Sequence, residues 1–552
     1  MQDYLRRHTN PPVFIISLVV IVSVVIVGAL FAETFGNTAQ SVLNFIYTFF
    51  GWFLILAVSF FLIFVVALAF TRYGRVKLGP DDARPEFSTT AWFAMLFTAG
   101  MGIGLVYFGV AEPVFHFTSP PTGEGGTPAA AQQAMNLTFF HWLFHPWAIY
   151  IVFALSLAYF SFRRGLPLRP ASAFYPLIGD RIYGWLGNVI DIIAVFGTMF
   201  GLATSLGFGA QQVNAGLSTL FGIPNTAGVQ MLLIAAITLV AAVSVVLGID
   251  KGVRNLSLIN MWLAFGLALF VFIVGPTLFI LNSVANDIGF YLQNLVGTSF
   301  NMFTTNDAAA EWQAGWTLFY WAWWTSWAPF VGMFIARVSY GRTLRQFVLG
   351  VLLAPAGVSA VWFVIFGGTA INYIMNGNGG GLANADTSTA MFILLDQLPI
   401  APFLSVIASV LAIVVVVLFF ATSSDSGSLV IDILTNGGDP NPVWFQRLSW
   451  AILEGAVAAV LLGAGAAGGG DALTALQSAA VASGLPFAVV LIFMCVGLAV
   501  GLRDERLPGI QPEPSVDRIP PDPGRAASKP RGAPAPQQAS AEDAPERGQN
   551  VT

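Results

Sequence analysis

The sequence VFIISLVVIVSVVIVGALF at residues 13–31 contains no charged side chain. An α-helix needs about 20 predominantly apolar residues to cross the hydrocarbon core of a bilayer, and this run is long enough to do so. It is longer than the apolar core of a secretory signal peptide, and no small-residue cleavage site follows it. The run therefore predicts an uncleaved transmembrane helix.

Similar apolar runs recur along the chain, and together they predict an all-α membrane protein with many spans. Only 9% of the 552 residues are charged and 56% are hydrophobic, whereas a soluble domain carries about 25% charged residues. The predicted spans, twelve in all, lie near residues 13–33, 46–70, 89–110, 139–161, 184–213, 227–248, 257–281, 315–337, 346–373, 401–421, 445–466 and 480–501.

The composition argues against several other classes of protein. A single cysteine, Cys495, excludes a disulfide scaffold. Nucleic-acid binding is not expected, because the net charge is −5 and no basic stripe is present. No nucleophile–base pair or metal-ligand cluster is evident, so we expect neither an enzyme nor a cofactor. His141 and His145 form an i,i+4 pair without an acid on the same helix, and we expect them to pack or to form hydrogen bonds.

The distribution of basic residues supports an even number of spans. With the N-terminus in the cytoplasm, all 23 Lys and Arg residues fall on the inner side and none on an outer loop. Cytoplasmic segments of membrane proteins carry such an excess of positive charge. A missed or extra span would reverse the side of every later segment. We therefore predict a multi-pass protein of the cell (inner) membrane with both termini in the cytoplasm.

Two segments outside the spans have patterns of their own. Residues 282–300 mix polar and apolar side chains over a length too short to span, which favours an amphipathic helix on the outer membrane surface. A plain loop is the alternative. The tail from Arg503 to Thr552 holds ten of the 31 prolines and charges of both signs. This composition predicts a disordered cytoplasmic segment.

The third span contains the string GMGIG at residues 100–104. Each glycine weakens a helix by up to about 1 kcal/mol relative to alanine. One interpretation is close packing of helices through small residues. The other is an unwound segment whose free backbone N–H and C=O groups bind a substrate or an ion.

Aromatic residues are concentrated in the fourth and eighth spans. The eighth reads WTLFYWAWWTSWAPF at residues 316–330, and four of its rings recur at steps of three and four along one helical face. They lie near the middle of the span, which argues against a belt at the lipid headgroups. Aromatic ring faces attract quaternary ammonium groups by about 0.5–2 kcal/mol per contact. A zwitterion is favoured over a bare cation, because no counter-ion is obvious in the cluster. The rings are those of Tyr320, Trp323, Trp324 and Trp327, with Trp142, Trp147 and Tyr150 on the fourth span.

The tenth span ends in FFATSSDSG at residues 419–427. Oxygen atoms of hydroxyl and carbonyl groups are the ligands that hard cations prefer. The hydroxyl groups here are therefore candidate cation ligands, and a hydrated helix end is the alternative.

The motifs resemble those of the betaine/carnitine/choline transporter family over roughly residues 10–505. The resemblance implies homotrimers with two extra helices before a core of five spans repeated in inverted orientation, as in sodium-coupled amino-acid transporters. The motifs are GMGIGLVYFGVAEP at 100–113, FHWLFHPWAIY at 140–150, TLFYWAWWTSWAPFVGMFIARVSYGRTLRQF at 317–347 and FFATSSDSGSLV at 419–430. The implied segments are a cytoplasmic tail at 1–12, two peripheral helices at 13–88, the first repeat at 89–281, an outer interfacial helix and loop at 282–314, the second repeat at 315–501 and a disordered cytoplasmic tail at 502–552.

The resemblance also implies a substrate site at the middle of the membrane. Aromatic rings would surround the ammonium group, Trp327 would gate the site, and the backbone of the glycine segment would hold a carboxylate. The implied residues are Trp142, Trp147, Tyr150, Trp321, Trp323, Trp324, Trp327, Gly100, Met101, Gly102 and Gly104.

The family has two sodium sites. The ligand positions of the first match this chain, but those of the second match only in part. The second requires two threonines one turn apart, but Leu202 stands at the second position and cannot ligate a cation. Either one ion is coupled, or Ser205 or Thr204 shifts the second site. The first site maps to Thr98, Met101, Phe419, Thr422 and Ser423, and the matching part of the second to Thr198 and Phe330.

The substrate and the coupling ion are implied in the same way. Relatives that carry choline tend to have an acidic or polar residue at the position of Gly104, so glycine favours betaine-type substrates. The resemblance implies sodium-coupled uptake of glycine betaine, or a similar zwitterionic compatible solute, by alternating access. The alternative is a sodium-independent exchanger of carnitine- or choline-type compounds. Thr422 and Ser423 argue against this alternative, and Leu202 argues mildly for it.

Overall fold

The computed structural model describes residues 9–505, apart from Met101, residues 247–249, residues 441–442 and Gly470. The side chains of residues 97–100 and 250–256 are also outside the description. Within these limits the chain forms helices joined by short turns, and no β-strand is present. The helices are α1 Pro11–Leu30, α2 Ala32–Phe70, α3 Thr89–Gly100, α4 Ile103–Thr118, α5 Pro128–Trp142, α6 Phe144–Ala158, α7 Trp185–Phe221, α8 Ala227–Val246, α9 Asp250–Val274, α10 Thr277–Ser299, α11 Asp307–Gln313, α12 Phe319–Arg337, α13 Leu344–Phe363, α14 Thr369–Met375, α15 Ala390–Gln397, α16 Pro402–Thr435, α17 Trp444–Ala467 and α18 Thr474–Arg503.

Ten helices in the described part of the chain are long and apolar enough to cross a membrane. The other two predicted spans correspond to the interrupted pair α3 and α4, and to α12. The half-helix α4 is apolar but has only 16 residues, and α12 is rich in tryptophan and tyrosine, whose polar N–H and O–H groups lower its hydropathy. The chain is an all-α, multi-pass membrane protein.

Several boundaries differ from the sequence prediction. Helix α2 starts at Ala32 and has 39 residues, so the second predicted span, 46–70, leaves out its first 14 residues. The seventh span ends at Val274, because Pro276 follows and cannot continue a helix. The amphipathic segment is helical and runs over Thr277–Ser299. The expectation of a helix rather than a loop is therefore confirmed.

Two helix breaks shape the centre of the molecule. The third span stops at Gly100 and restarts at Ile103, with Gly102 in an extended conformation (φ −143°, ψ −178°). The fourth span breaks at Leu143 (φ −97°, ψ −110°). Pro146 lies one turn later, where it lacks an N–H donor and its ring crowds the preceding turn. Both breaks free backbone groups inside the protein.

Helix α12 lies at the centre, packed against α6, α7 and α18. Small residues allow these close contacts. A Cβ on Gly201 of α7 would lie 2.7 Å from the Ser326 hydroxyl, and a Cβ on Gly484 of α18 would lie 2.2 Å from the carbonyl oxygen of Ala322. The aromatic helix is thus held in a fixed position.

Helix order is similar in the two halves of the chain. Short helical turns at 170–183 precede α7, which has 37 residues. Short helices at 382–397 likewise precede α16, which has 34 residues. The repeats predicted at 89–281 and 315–501, their inverted relation and the homotrimer stay predictions.

Candidate substrate site

A cavity lies where the start of α4 meets α5, α6, α12 and α13. It is partly open to solvent. Its walls are mostly aromatic, as predicted for an ammonium site. The lining residues are Gly102, Gly104, Leu105, Trp142, Pro146, Trp147, Tyr150, Trp323, Trp324, Trp327 and Ser359.

The rings of this cavity contact one another at close range. Trp323 and Trp324 are stacked, with centroids 4.3 Å apart and planes 20° apart. Trp142 meets Trp324 edge-on at 4.9 Å, and Trp147 meets Tyr150 edge-on at 5.5 Å. All five side chains are buried. The structure therefore brings the rings of the fourth and eighth spans together.

Hydrogen bonds from the indole N–H groups fix the orientation of three of these rings. Trp324 donates to the carbonyl oxygen of His141 at 2.9 Å, which is next to the break in the fourth span. Trp323 donates to the carbonyl oxygen of Gly201 at 3.2 Å. Trp142 donates to the carboxylate of Glu112 at 2.6 Å. The polar edges of these rings are thus engaged with protein, so their apolar parts form the cavity wall.

Glu112 corrects the expectation that no counter-ion lies in the aromatic cluster. It is fully buried on α4. Its Oε2 accepts hydrogen bonds from Trp142 at 2.6 Å and from the Tyr320 hydroxyl at 2.5 Å. Its Oε1 lies 2.7 Å from Nδ1 of His141 and 3.3 Å from Nε2 of His116. One carboxylate thus connects the aromatic rings to two histidines.

The same residues correct the expectation that no metal-ligand cluster is present. Ligand atoms of Glu112, His116 and His141 all lie within 4.8 Å of one another. His141 is also bonded through Nε2 to the Thr317 hydroxyl at 2.9 Å. The carboxylate and both nitrogens of His141 are hydrogen-bonded within the protein, whereas Nδ1 of His116 has no hydrogen-bond partner among the described residues. His145 stacks on Trp321 instead, with centroids 5.3 Å apart.

A signal in the sequence could have identified Glu112. It is the only acidic residue in the third predicted span, 89–110, and its continuation to Thr118. An ionisable side chain inside a span is costly unless it has partners, so it marks a functional site by default. His116 lies one turn away on the same helix, but the other three partners lie on α5 and α12, far away in sequence.

The N-terminus of α4 forms the polar part of the cavity. The first N–H groups of a helix have no partners within that helix, and the helix dipole makes this end attractive to anions. Gly102 and Gly104 line the cavity at this point. The indole N–H of Trp362 donates to the Leu105 carbonyl oxygen at 2.8 Å and fixes the first turn. An aromatic wall and an anion-binding helix end therefore face one space.

Gly104 has no room for a side chain. A Cβ there would lie 2.8 Å from Cη2 of Trp142 and 3.1 Å from Cη2 of Trp323. Glycine at this position thus allows both indoles to approach the backbone. The predicted role of Gly104 beside the substrate site fits this geometry.

Four of the predicted substrate residues differ from the rest. Trp321 does not line the cavity: it packs on Phe140 at 4.8 Å and on His145. Gly100 ends α3, and Met101 lies outside the described residues. Trp327 lies at the edge of the cavity. Its ring centroid is 5.4 Å from that of Phe330 and 6.2 Å from that of Trp323. Its gating role stays a prediction.

The predicted first sodium site is described only on the side of α16. Phe419 is buried, and Thr422 and Ser423 are partly exposed on the same helix. The Thr422 hydroxyl donates to the Leu418 carbonyl oxygen at 2.8 Å, which leaves its lone pairs free to bind a cation. The side chain of Thr98 and all of Met101 lie outside the description.

The predicted second sodium site has few oxygen atoms. Thr198 is buried and donates to the Ala194 carbonyl oxygen at 2.9 Å, while Leu202 is fully buried. The Thr204 hydroxyl donates to the carbonyl oxygens of Phe200 and Leu476, each at 2.9 Å, and its lone pairs stay free, so Thr204 remains an alternative ligand. Ser205 bonds within its own helix, to Gly201 at 3.3 Å. Phe330, the aromatic member of the set, is partly exposed on α12.

Comparisons with known proteins identify the family of this chain. The family described as BCCT, betaine/carnitine/choline family transporter, matches residues 12–507. A protein named glycine betaine transporter from Acinetobacter baylyi is 46% identical over 499 residues, covering 90% of this chain and 74% of the relative. A glycine betaine transporter of Bacillus subtilis is 45% identical over 495 residues, covering 90% of this chain and 94% of the relative. A glycine betaine/proline/choline/ectoine transporter of Vibrio parahaemolyticus is 48% identical over 464 residues, covering 83% of this chain and 80% of the relative. With a family match over nearly its whole length and these relatives, the chain belongs to the betaine/carnitine/choline transporter family, whose members are transporters and not enzymes.

Proposed function

We propose that this chain takes up glycine betaine, or a closely similar zwitterionic solute, together with Na⁺. The observation that supports the substrate most directly is the aromatic cavity around Trp142, Trp323 and Trp324. A trimethylammonium group cannot donate a hydrogen bond, so ring faces hold it better than polar groups do. Relatives named glycine betaine transporters, at 45–46% identity, support the same substrate.

Glu112 gives the aromatic site a negative charge without exposing it to the substrate. Its Oε2 accepts from both Trp142 and Tyr320, so the charge polarises the ring systems that meet the ammonium group. Charge-assisted hydrogen bonds of this kind are roughly twice as strong as neutral ones. The carboxylate therefore orients the rings and strengthens their attraction for a cation.

The other end of the substrate carries a carboxylate, which suits the start of α4. Backbone N–H groups and the helix dipole favour an anion there. Gly104 keeps this backbone within reach of the aromatic rings, since any side chain would meet Trp142. A short zwitterion thus finds both its charges matched within one cavity.

Sodium coupling is supported by hydroxyl groups at the position the family uses. Thr422 and Ser423 lie one turn from Phe419 on α16, and α16 packs against α7. Each Na⁺ that enters down a potential of 100 mV supplies about 2.3 kcal/mol, before its concentration gradient is counted. Alternating access then follows if the two halves move around the midplane site. We also propose a homotrimer in the cell (inner) membrane with both termini in the cytoplasm.

One observation favours the second candidate, a sodium-independent exchanger of carnitine- or choline-type compounds. Leu202 fills the position of a sodium ligand and is fully buried. An exchanger needs no driving ion, so filled ion sites would suit it. The exchanger would accumulate substrate only against a second quaternary ammonium compound inside the vesicle.

The test is uptake of radiolabelled glycine betaine into proteoliposomes with and without an inward Na⁺ gradient. We expect accumulation only with the gradient, and competition by choline, carnitine and ectoine then ranks the substrates. Equal uptake at zero sodium into vesicles preloaded with carnitine would establish the exchanger instead.

Two tryptophans on α12 provide a matched pair of variants. Trp324→Leu removes a cavity wall, and a loss of about 2 kcal/mol would weaken binding roughly 30-fold. Trp321→Leu removes an equally buried ring that does not line the cavity. Affinity for glycine betaine should fall in the first variant and stay within threefold in the second. The reverse order would remove the aromatic cavity as the substrate site.

A further inference from the structure

A buried carboxyl group outside the substrate cavity lacks partners. Glu454 on α17 is fully buried. Its Oε2 accepts a hydrogen bond from the Ser424 hydroxyl at 3.0 Å. Its Oε1 has no hydrogen-bond partner among the residues that the structure describes. Such an oxygen needs an explanation, because an unsatisfied buried polar atom is costly.

The surroundings of the free oxygen are apolar and tightly packed. A Cβ on Gly427 would lie 3.2 Å from Oε1 of Glu454 and 2.1 Å from Cδ2 of Leu202. Leu202 belongs to α7, whereas Gly427 and Glu454 belong to α16 and α17. Glu454 therefore lies at the seam between the first and second halves of the chain.

Charged groups near Glu454 do not neutralise it. Arg447 and Asp425 act on it electrostatically, but Arg447 is bound to Asp425 at 2.6 Å. Asp432 is the other acid of α16, and α1 and α8 carry no titratable residue. The remaining neighbouring helices carry groups that make no hydrogen bond or ion pair with Glu454 within the described residues: Glu33 and Tyr47 on α2, Asp191 on α7, and Cys495 and Arg503 on α18.

These surroundings distinguish between possible ligands. An ionised carboxylate buried without a counter-ion costs several kcal/mol, and one hydroxyl donor does not compensate for that cost. A sodium ion needs several oxygen ligands, but Oε1 has no polar partner among the described residues, and a single Cβ added at Gly427 would meet both Oε1 and the Leu202 methyl. A proton needs one oxygen only.

We propose that Glu454 is a proton-binding site, and that this proton is carried with the substrate. The closed seam holds the neutral acid, with the proton on the carboxyl group. When the halves separate, water reaches Glu454 and the proton leaves, so that the carboxylate is solvated. The partly exposed Arg447 lies seven residues before Glu454 on α17, about 10 Å along the same helical face. The proposal rests on the proposed function, because it concerns the same transport cycle.

The first experiment uses the wild-type protein in proteoliposomes that contain a pH dye. Sodium is equal on both sides, and the membrane potential is clamped at zero. With the outside one pH unit more acidic, one proton per substrate corresponds to a tenfold accumulation of glycine betaine. Addition of glycine betaine should also acidify the lumen.

The outcomes separate this proposal from the proposed function. If neither accumulation nor acidification occurs, while a sodium gradient still drives uptake, the proton site is wrong and the betaine transporter stands. If a sodium gradient drives no uptake in the same vesicles, the proposed function fails first.

A pair of variants then assigns the proton to one side chain. Glu454→Gln keeps the size of the side chain and its contact with Ser424, but cannot release a proton. The accumulation ratio should then fall from about ten to one under the pH gradient, with folding checked by the melting temperature. Glu33→Gln, at an exposed position on α2, should keep the tenfold ratio. If Glu454→Gln retains the tenfold accumulation ratio, the assignment is refuted. It is also refuted if the wild type gives no proton signal and the variant lowers the order of the dependence of uptake on sodium from second to first.

Discussion

The variant Glu112→Gln tests how the aromatic site is held together. The carboxylate has four polar partners, and Oε2 alone accepts from Trp142 at 2.6 Å and Tyr320 at 2.5 Å. A glutamine has nearly the same shape, but one of its two ends is an NH₂ group. If that group faces the aromatic side, it meets the Trp142 N–H, which can only donate. If it faces His141 and His116, both imidazoles must adopt the tautomer that accepts a hydrogen bond.

The expected magnitude follows from the kind of bond that is lost. A hydrogen bond to a charged group contributes about 1.5–3 kcal/mol, and a buried donor without an acceptor adds a further cost. Loss of one contact on the aromatic side corresponds to roughly a 10- to 150-fold rise in the Kd for glycine betaine. Part of the cost will appear as lower stability of the substrate-free protein, because the same bonds orient the rings before substrate binds.

The measurement is titration of purified protein with glycine betaine, by calorimetry or tryptophan fluorescence, together with the melting temperature. Glu124→Gln, at an exposed position in the loop before α5, is the matched control and should change neither quantity. If Glu112→Gln has a Kd within twofold of the wild type and an unchanged melting temperature, this carboxylate does not orient the rings of the aromatic cavity.

Three further changes test other parts of the structure. Gly104→Ala places a methyl 2.8 Å from the Trp142 ring and should reduce uptake by the membrane-inserted protein more than about 100-fold. Gly102→Ala, whose methyl would lie 3.5 Å from Cη2 of Trp327, should keep much more activity. Thr422→Ala should raise the half-maximal sodium concentration about tenfold, and an unchanged value would count against this ligand. Burial raises the pKa of Asp287 to about 6, so the folded state keeps a proton that the unfolded chain has lost, and stability falls between about pH 4 and pH 6 by about 3 kcal/mol. Asp287→Asn should therefore raise the melting temperature above pH 6 and not below pH 4.

The spans and the aromatic face of the eighth span could be predicted because each depends on residues that are close in sequence. Apolar length predicted twelve spans, and ten helices of the described part are long and apolar enough to cross a membrane. Steps of three and four placed Tyr320, Trp323, Trp324 and Trp327 on one face. Trp321 fell outside that face, since it is one residue from Tyr320 and about 100° away around the helix. The family resemblance added it to the site, but the structure packs it on His145. Local periodicity was the better guide at this position.

The helix ends were less predictable, because tertiary partners decide them. Nothing in the apolar run at 46–70 indicates that α2 continues back to Ala32 through Gly36. A Cβ on Gly36 would lie 2.4 Å from the Ala464 carbonyl oxygen of α17, so this turn is packed closely against a helix more than 400 residues away. Such a contact has no counterpart in local sequence. It explains why a stretch rich in polar residues remains helical.

The buried acids mark the limit of sequence reasoning in a different way. Glu112 and Glu454 look alike in sequence, each a lone carboxyl group within an apolar helix. The structure gives Glu112 four polar neighbours from α4, α5 and α12, but it gives Glu454 only the hydroxyl of Ser424 among the described residues. The first environment stabilises a charge permanently, and it suits a part of the site that must not change during transport. The second stabilises a neutral acid in one arrangement of the helices and a charge only when water enters. Because the difference depends on how many donors the fold brings to each oxygen, the sequence can locate both acids but cannot distinguish a fixed charge from a mobile proton.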